Sequence, residues 1–382
     1  MDESSVDIGH RLRRIRHARD KSLAVIAGLA GISTGHLSRI ERGKRALDRH
    51  SLIIALADAL EIAPSELTKL PVPAPGNGKM DAAVDAVRHA LMAVSFDDQL
   101  GGQAHPVEAL RARVTAMVGA LCRAEHDREV GAALPGLIVD LHASIADGKD
   151  VAELFGLAVL LHTRATVGWL SLAGSPLDLR SLPLLLGQRV AGDLGTTVPL
   201  GLAAAAGARV MLAGGACDIA QARLDAVTVP TSTPDTMQLA GFLALLRSVV
   251  AASDNRPGDV EAPLEFATEL AARTGEGNAY GLGFGPFIVR LYQMSGLLEA
   301  GDYRRAAGLA EGINPDAHVN RSRQAAYWAD YGRALARLPR RRDDAVVALR
   351  HAERISPRLI QRGPVIRGVL AELLGKTKQD MT

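Results

Sequence analysis

The chain has 382 residues, of which 48% are hydrophobic, 23% charged and only 3% aromatic, with a formal net charge of +2. It is too long for one simple domain, its balance suits a soluble globular protein, and the scarcity of aromatic residues beside abundant alanine argues against a strand-rich fold. Two cysteines, Cys122 and Cys217, are too few and too far apart for a disulfide framework or a metal motif, so a reducing cytoplasm is the simplest expectation.

The start, Met1-Asp2-Glu3-Ser4, lacks the basic and apolar order of a signal peptide. The first forty-odd positions carry two basic runs. Arg11, Arg13, Arg14, Arg16, Arg19 and Lys21 face one acid, Asp20, and Arg39, Arg42, Lys44, Arg45 and Arg49 hold only Glu41 and Asp48 among them. Either run alone reads as a solvated face, but together they are the footprint of a nucleic-acid partner. Between them lies an ordered set of turn and core residues. Ser22 caps a helix whose inward positions are Ile26, Ala27 and Ala30. Gly31 supplies a turn needing positive φ, Ile32 plugs the corner, Ser33 caps the next helix, and Leu37 with Ile40 forms its inner face.

The run Ser22-Leu23, Ala27, Gly31-Ile32-Ser33 and Leu37 through Arg45 resembles the Xre/Cro-repressor family. Leu52, Ile53, Ala55, Leu56, Leu60, Pro64 and Leu67 match the last two helices of that domain, so the resemblance covers residues 8–70. It implies a five-helix, lambda-repressor-like DNA-binding domain over residues 1–70. It further implies that Thr34, Gly35, Ser38 and Arg39 face base edges, with Arg39 the direct reader of guanine. Ser22, His36, Arg42, Lys44 and Arg45 are implied at phosphates, and Arg16 is implied to pair with Glu41 as a structural tie. Leu23 and Ala24 depart from the family's usual polar residues, and Gly35 offers no side chain for base reading. Fewer contacts per half-site imply a homodimer on a two-fold, double-stranded operator.

Pro71, Pro73, Pro75, Gly76 and Gly78 then mark a linker over 71–79. From 80 to 382 the pattern predicts helix after helix, near 80–95, 105–128, 150–171, 236–253 and 286–300, with no alternating strand pattern. The chain is therefore expected to be all-α. Trp328, Tyr331, Gly332 and Leu335, followed by Ala345, Leu349, Ala352 and Pro357, resemble a tetratricopeptide repeat (TPR). Ala300 to Tyr303 with Ala306, Ala310 and Pro315 forms a less complete unit. One unit cannot bury its own face, so an α-solenoid of stacked pairs is expected. The most apolar stretches are interrupted by His162 and Arg164, by Gln188 and Arg189, and by Arg209, so no membrane span is expected.

No catalytic constellation, metal site or cofactor motif emerges. Gly375-Lys376-Thr377 lacks the upstream glycine of a phosphate loop, since residue 370 is leucine, and Gly281, Gly283 and Gly285 follow no strand. The chain is read as a non-enzymatic regulator. A Xre-type domain joined to a TPR-like array, with a stretch from Phe284 to Pro357 that looks like actinobacterial members of this architecture, resembles regulators whose array binds a peptide or small-molecule effector. Arg247, Asn278, Tyr280, Phe287, Arg290 and Tyr292 are the candidate groove residues. A purely dimerising or docking scaffold is the competing reading, and an antitoxin-like role is third because antitoxins of this family are shorter.

Overall fold

A computed structural model describes residues 3–62, 64–68, 78–96, 101–123, 127–318, 320–362 and 364–379, and among them every regular element is helical. The N-terminal group comprises α1 (Glu3–Ala18), α2 (Leu23–Leu29), α3 (Thr34–Glu41), α4 (His50–Ala59) and α5 (Pro64–Thr68). Its core is separate, with Val365 from the end of the chain packed against it, and Leu12, Ile26, Leu37, Ile40 and Leu56 are at most 1% exposed. The expected linker falls on residues outside the described set, except that Gly78 and Lys79 already belong to the next helix.

That helix is α6 (Gly78–Ser95), followed by α7 (Val107–Cys122), α8 (Asp127–Ala146) and α9 (Val151–Leu160). A π segment, Leu161–Thr166, joins α9 to α10 (Val167–Leu172) without a break. Then come α11 (Leu177–Leu194), α12 (Thr197–Ala213), α13 (Cys217–Asp225), α14 (Pro234–Ser253), α15 (Glu261–Thr274) and α16 (Pro286–Ala300). The chain closes with α17 (Tyr303–Glu311), α18 (Arg321–Leu335), α19 (Arg342–Ile355), α20 (Pro357–Arg362) and α21 (Pro364–Gln379). The single helix expected at 105–128 is thus shorter, ending at Cys122. Pro357 opens α20 rather than only ending its predecessor, because proline fits a first helical turn whose N–H would be unbonded anyway.

Neighbours in sequence are neighbours in space: α11 packs on α12, α12 on α13, α14 on α15, α16 on α17 and α18 on α19. One core runs from Val87 to Leu373 and also takes in Ala46 of the N-terminal part. Small residues set the spacing. A Cβ on Gly332 of α18 would sit 2.8 Å from Leu349 Cγ of α19, so only glycine permits that approach.

The sequence leads to an expectation of no membrane span, yet three helical stretches have the length and composition of one. Glu129–Ala146, Val151–Leu172 and Pro234–Ser253 are long and apolar enough to cross a membrane by length and composition, because two charged residues in each do not offset the many apolar ones. In the fold this apolar surface faces other helices to different extents: 39%, 56% and 72% of the respective windows are buried.

Candidate nucleic-acid interface

The N-terminal helices are built around one corner. Ser22 Oγ accepts from Val25 N at 3.2 Å and Ser33 Oγ accepts from His36 N at 3.2 Å, so both α2 and α3 begin on capping serines. Between them Gly31 takes φ +66°, and Ile32 N donates back to Ala27 O at 2.9 Å. The two helix axes differ by 109°, within the range of a DNA-type helical corner.

Leu37, Ile40 and Glu41 turn the inner face of α3 into the core, which leaves Thr34, Gly35 and Arg39 exposed and Ser38 half-buried on the other side. Arg42 and Lys44 are exposed at the end of the helix, and Arg42 Nε donates to Ser38 O at 3.1 Å. Arg45 is different. It lines a crevice with Ile8, Gly9, Ile40, Leu47 and Gly368, half-buried between α1 and α21. His36 is also half-buried, and burial together with the charges of Arg45, Arg49 and Arg39 pushes its pKa down to about 4. It is neutral at pH 7, so it offers a hydrogen bond rather than a charge to an anion.

Arg16 and Glu41 form a bidentate pair, Nε–Oε1 2.6 Å and Nη2–Oε2 2.8 Å, with side chains 8% and 5% exposed. The pair ties α1 to the last turn of α3, and Arg16 Nη1 also donates to Lys21 O at 3.0 Å. The hydrogen bond to Glu41 holds the guanidinium's pKa above its ordinary value despite its burial.

The loop after α3 carries something the sequence did not announce. Residues 46–51 are clamped by five helices of the C-terminal part. Asp48 Oδ2 accepts from Arg337 Nε at 2.7 Å and Asp48 O accepts from Arg333 Nη2 at 2.6 Å. Arg337 Nη1 reaches Glu372 Oε2 at 2.6 Å, and the same oxygen accepts from Ala46 N at 2.9 Å. Ser51 donates through N and Oγ to Glu299 Oε2 at 2.9 and 3.1 Å, His50 Nε2 lies 2.8 Å from Leu212 O, and Tyr303 Oη is 3.5 Å from Asp48. Burial works against the charge of Arg337, but Asp48 and Glu372 outweigh it and raise its pKa.

The expected groove residues do not converge as a set. Arg247 bonds Leu224 O and Val227 O, tying α14 to the end of α13. Phe287 is 7% exposed with its ring tilted against His318 at 4.4 Å, and Arg290 donates to Gly312 O at 3.0 Å. Asn278 is exposed beside the loop at 279–281. Tyr280 and Tyr292 are half-buried: Tyr280 O accepts from Arg164 Nε at 3.1 Å, and the Tyr292 ring meets Phe242 edge-on at 6.2 Å.

Residues 7–70 match the family model described as a helix-turn-helix domain. A search of curated proteins and a search of solved structures each found no match.

Proposed function

We propose that the chain is a sequence-specific regulator that binds a double-stranded DNA operator as a cytoplasmic homodimer, with residues 1–70 reading DNA. The observation that carries this reading is the free face of α3: Thr34, Gly35, Ser38 and Arg39 are presented by a capped helix, with Arg42 and Lys44 beside them. Residues 80–382, read as a TPR-like sensor and dimerisation domain, control that face through a peptide or small molecule. The clamp on residues 46–51 supports control over mere scaffolding, because a passive dimerisation module needs no buried contacts to the loop leaving the recognition helix.

Selection from random duplexes at about 150 mM salt, where non-specific attraction is weak, should enrich an inverted repeat. On that site Arg39→Ala should cost about 1–3 kcal/mol while leaving affinity for unrelated DNA nearly unchanged. Equal loss on both would remove Arg39 from base reading, and recovery of no motif would remove sequence-specific binding by the unliganded protein.

Arg42→Ala and Lys44→Ala should behave differently. Each should weaken all sequences alike and reduce the slope of log K against log salt by about 1. A slope identical to that of the parent protein would show that neither residue meets a phosphate.

A further inference from the structure

A cleft of about 350 Å³ opens between four helices of the C-terminal part. Val94 of α6, Phe155 of α9 and Val190 of α11 supply apolar wall. Helix α8 contributes a whole face, since Val139, His142, Ala143 and Ala146 recur at helical spacing. The two alanines on that face leave the space open. Its volume lies near the lower end of the roughly 300–1,000 Å³ of ligand clefts, which suits a molecule of amino-acid size and not a long peptide.

Three polar side chains line this apolar space: His142, Arg189 and Asp193. His142 is tied to an inner partner. Its Nε2 lies 2.9 Å from Nε2 of His162, the ring centres are 5.2 Å apart, and His162 is fully enclosed within the π segment. Burial, then the charges of His142 and Arg189, pushes the His162 pKa well below its ordinary value, so the inner ring is neutral at pH 7. Among the described residues nothing pairs with His162 Nδ1. Burying a polar ring with one nitrogen unmet is costly, and packing alone does not call for it. A π segment inside a long helix is likewise a frequent mark of a functional site.

Arg189 and Asp193 stand one turn apart on α11, both exposed at the cleft. Among the described residues no ion pair joins them to each other or to any other side chain. A base followed by an acid four residues on is the less favourable order along a helix, so the two have little drive to close on each other. Asp193 also lies in the last turn of α11, where no basic side chain offsets the negative end of the helix. The cleft therefore carries an unbalanced negative point, a positive one a turn back, and an apolar space beside both.

We propose that the cleft binds a free apolar α-amino acid, with its carboxylate on Arg189, its ammonium on Asp193 and its side chain among Val139, Phe155 and Val190. A plain carboxylate would meet Asp193 as well as Arg189, and a plain amine would meet Arg189 as well as Asp193. A zwitterion answers both. The guanidinium fork offers paired donors to a carboxylate, and the ammonium supplies the cation that the end of α11 lacks. The site names the ligand class for the signal-controlled reading above and, for its regulatory meaning, rests on it. Helix α11 packs on α12, and α12 carries Leu212, whose carbonyl lies 2.8 Å from His50 Nε2 in the clamp. A ligand seated against α11 thus acts through one helix on the loop behind the recognition helix.

Calorimetric titration of the full-length protein without DNA tests the site. The probes are L-leucine and L-phenylalanine and, for each, the analogue lacking the amino group and the analogue lacking the carboxylate. Saturable binding of at least one amino acid is expected, with each of its single-charge analogues at least about tenfold weaker. Arg189→Gln and Asp193→Asn should each weaken the amino acid at least about tenfold at an unchanged melting temperature, since both side chains are exposed and neither gives up an ion pair. Selectivity separates their roles. Arg189→Gln should bring the amino acid down to the level of its amine analogue, and Asp193→Asn to that of its carboxylate analogue. Ala146→Leu should block the cleft, and Lys44→Ala on the DNA face should change nothing. Absence of saturable binding by either amino acid, equal binding by parent and both α11 variants, or a single-charge analogue that binds as tightly as its parent amino acid overturns the proposal. Amino-acid binding that leaves DNA affinity unchanged keeps the site and removes the regulation, and failure of the DNA-binding reading leaves the calorimetry untouched.

Discussion

Arg337→Met should loosen the join between the two parts of the chain and cost about 3–5 kcal/mol. The guanidinium bridges Asp48 and Glu372, and the three side chains are 7%, 4% and 7% exposed. Methionine fills much of the volume but leaves two carboxylates facing each other out of water. Hydrogen exchange should therefore accelerate in residues 44–52 and along α21, while the core of α4 around Leu56 keeps its protection. A cycle with Asp48→Ala should show coupling above about 0.5 kcal/mol, since the pair is in direct contact. If the proposed regulation holds, the same variant should also make DNA affinity indifferent to any effector. Unchanged exchange at residues 44–52, with a stability loss below about 1 kcal/mol, would mean that the ionic cluster does not hold the loop.

The fold class was legible because helical periodicity and the scarcity of aromatic residues leave little room for strands. The corner at Gly31 was legible because its parts are local: a cap, a residue with positive φ, a plug and a second cap lie within a dozen positions. The clamp was not. Asp48 and Arg337 are 289 positions apart and Ala46 and Glu372 are 326 apart, so no spacing rule connects them. Arg164 and Arg209 were visible only as interruptions in apolar stretches. Arg209 lies between Ala208 and Val210, both at most 5% exposed, and marks the exposed side of an otherwise buried helix. The candidate groove residues are mostly aromatic and basic side chains, and Arg247 and Arg290 serve as ties between chain segments. Composition draws attention to such residues without revealing which side of a helix they occupy.

Glu41→Ala is the sharpest test of how the recognition helix is held. Removing the carboxylate leaves Arg16 in a site where its side chain is only 8% exposed, with Lys21 O as its remaining strong acceptor. Breaking a buried pair from one side costs about 3–5 kcal/mol, a large share of the roughly 5–15 kcal/mol that holds an ordinary domain folded. DNA binding should consequently fail at temperatures where the helical array is still folded, and exchange protection should fall first in α1 and α3. The combined change Arg16→Met with Glu41→Leu should recover most of the loss, because apolar side chains of similar volume replace buried ion pairs at little cost. It should recover DNA affinity too, since Glu41 lies on the inner face of α3, away from Thr34, Gly35 and Arg39. Stability restored without affinity would instead give the pair a role in DNA recognition, and a Glu41→Ala protein of unchanged stability would show that the first and third helices are held together by their apolar contacts alone.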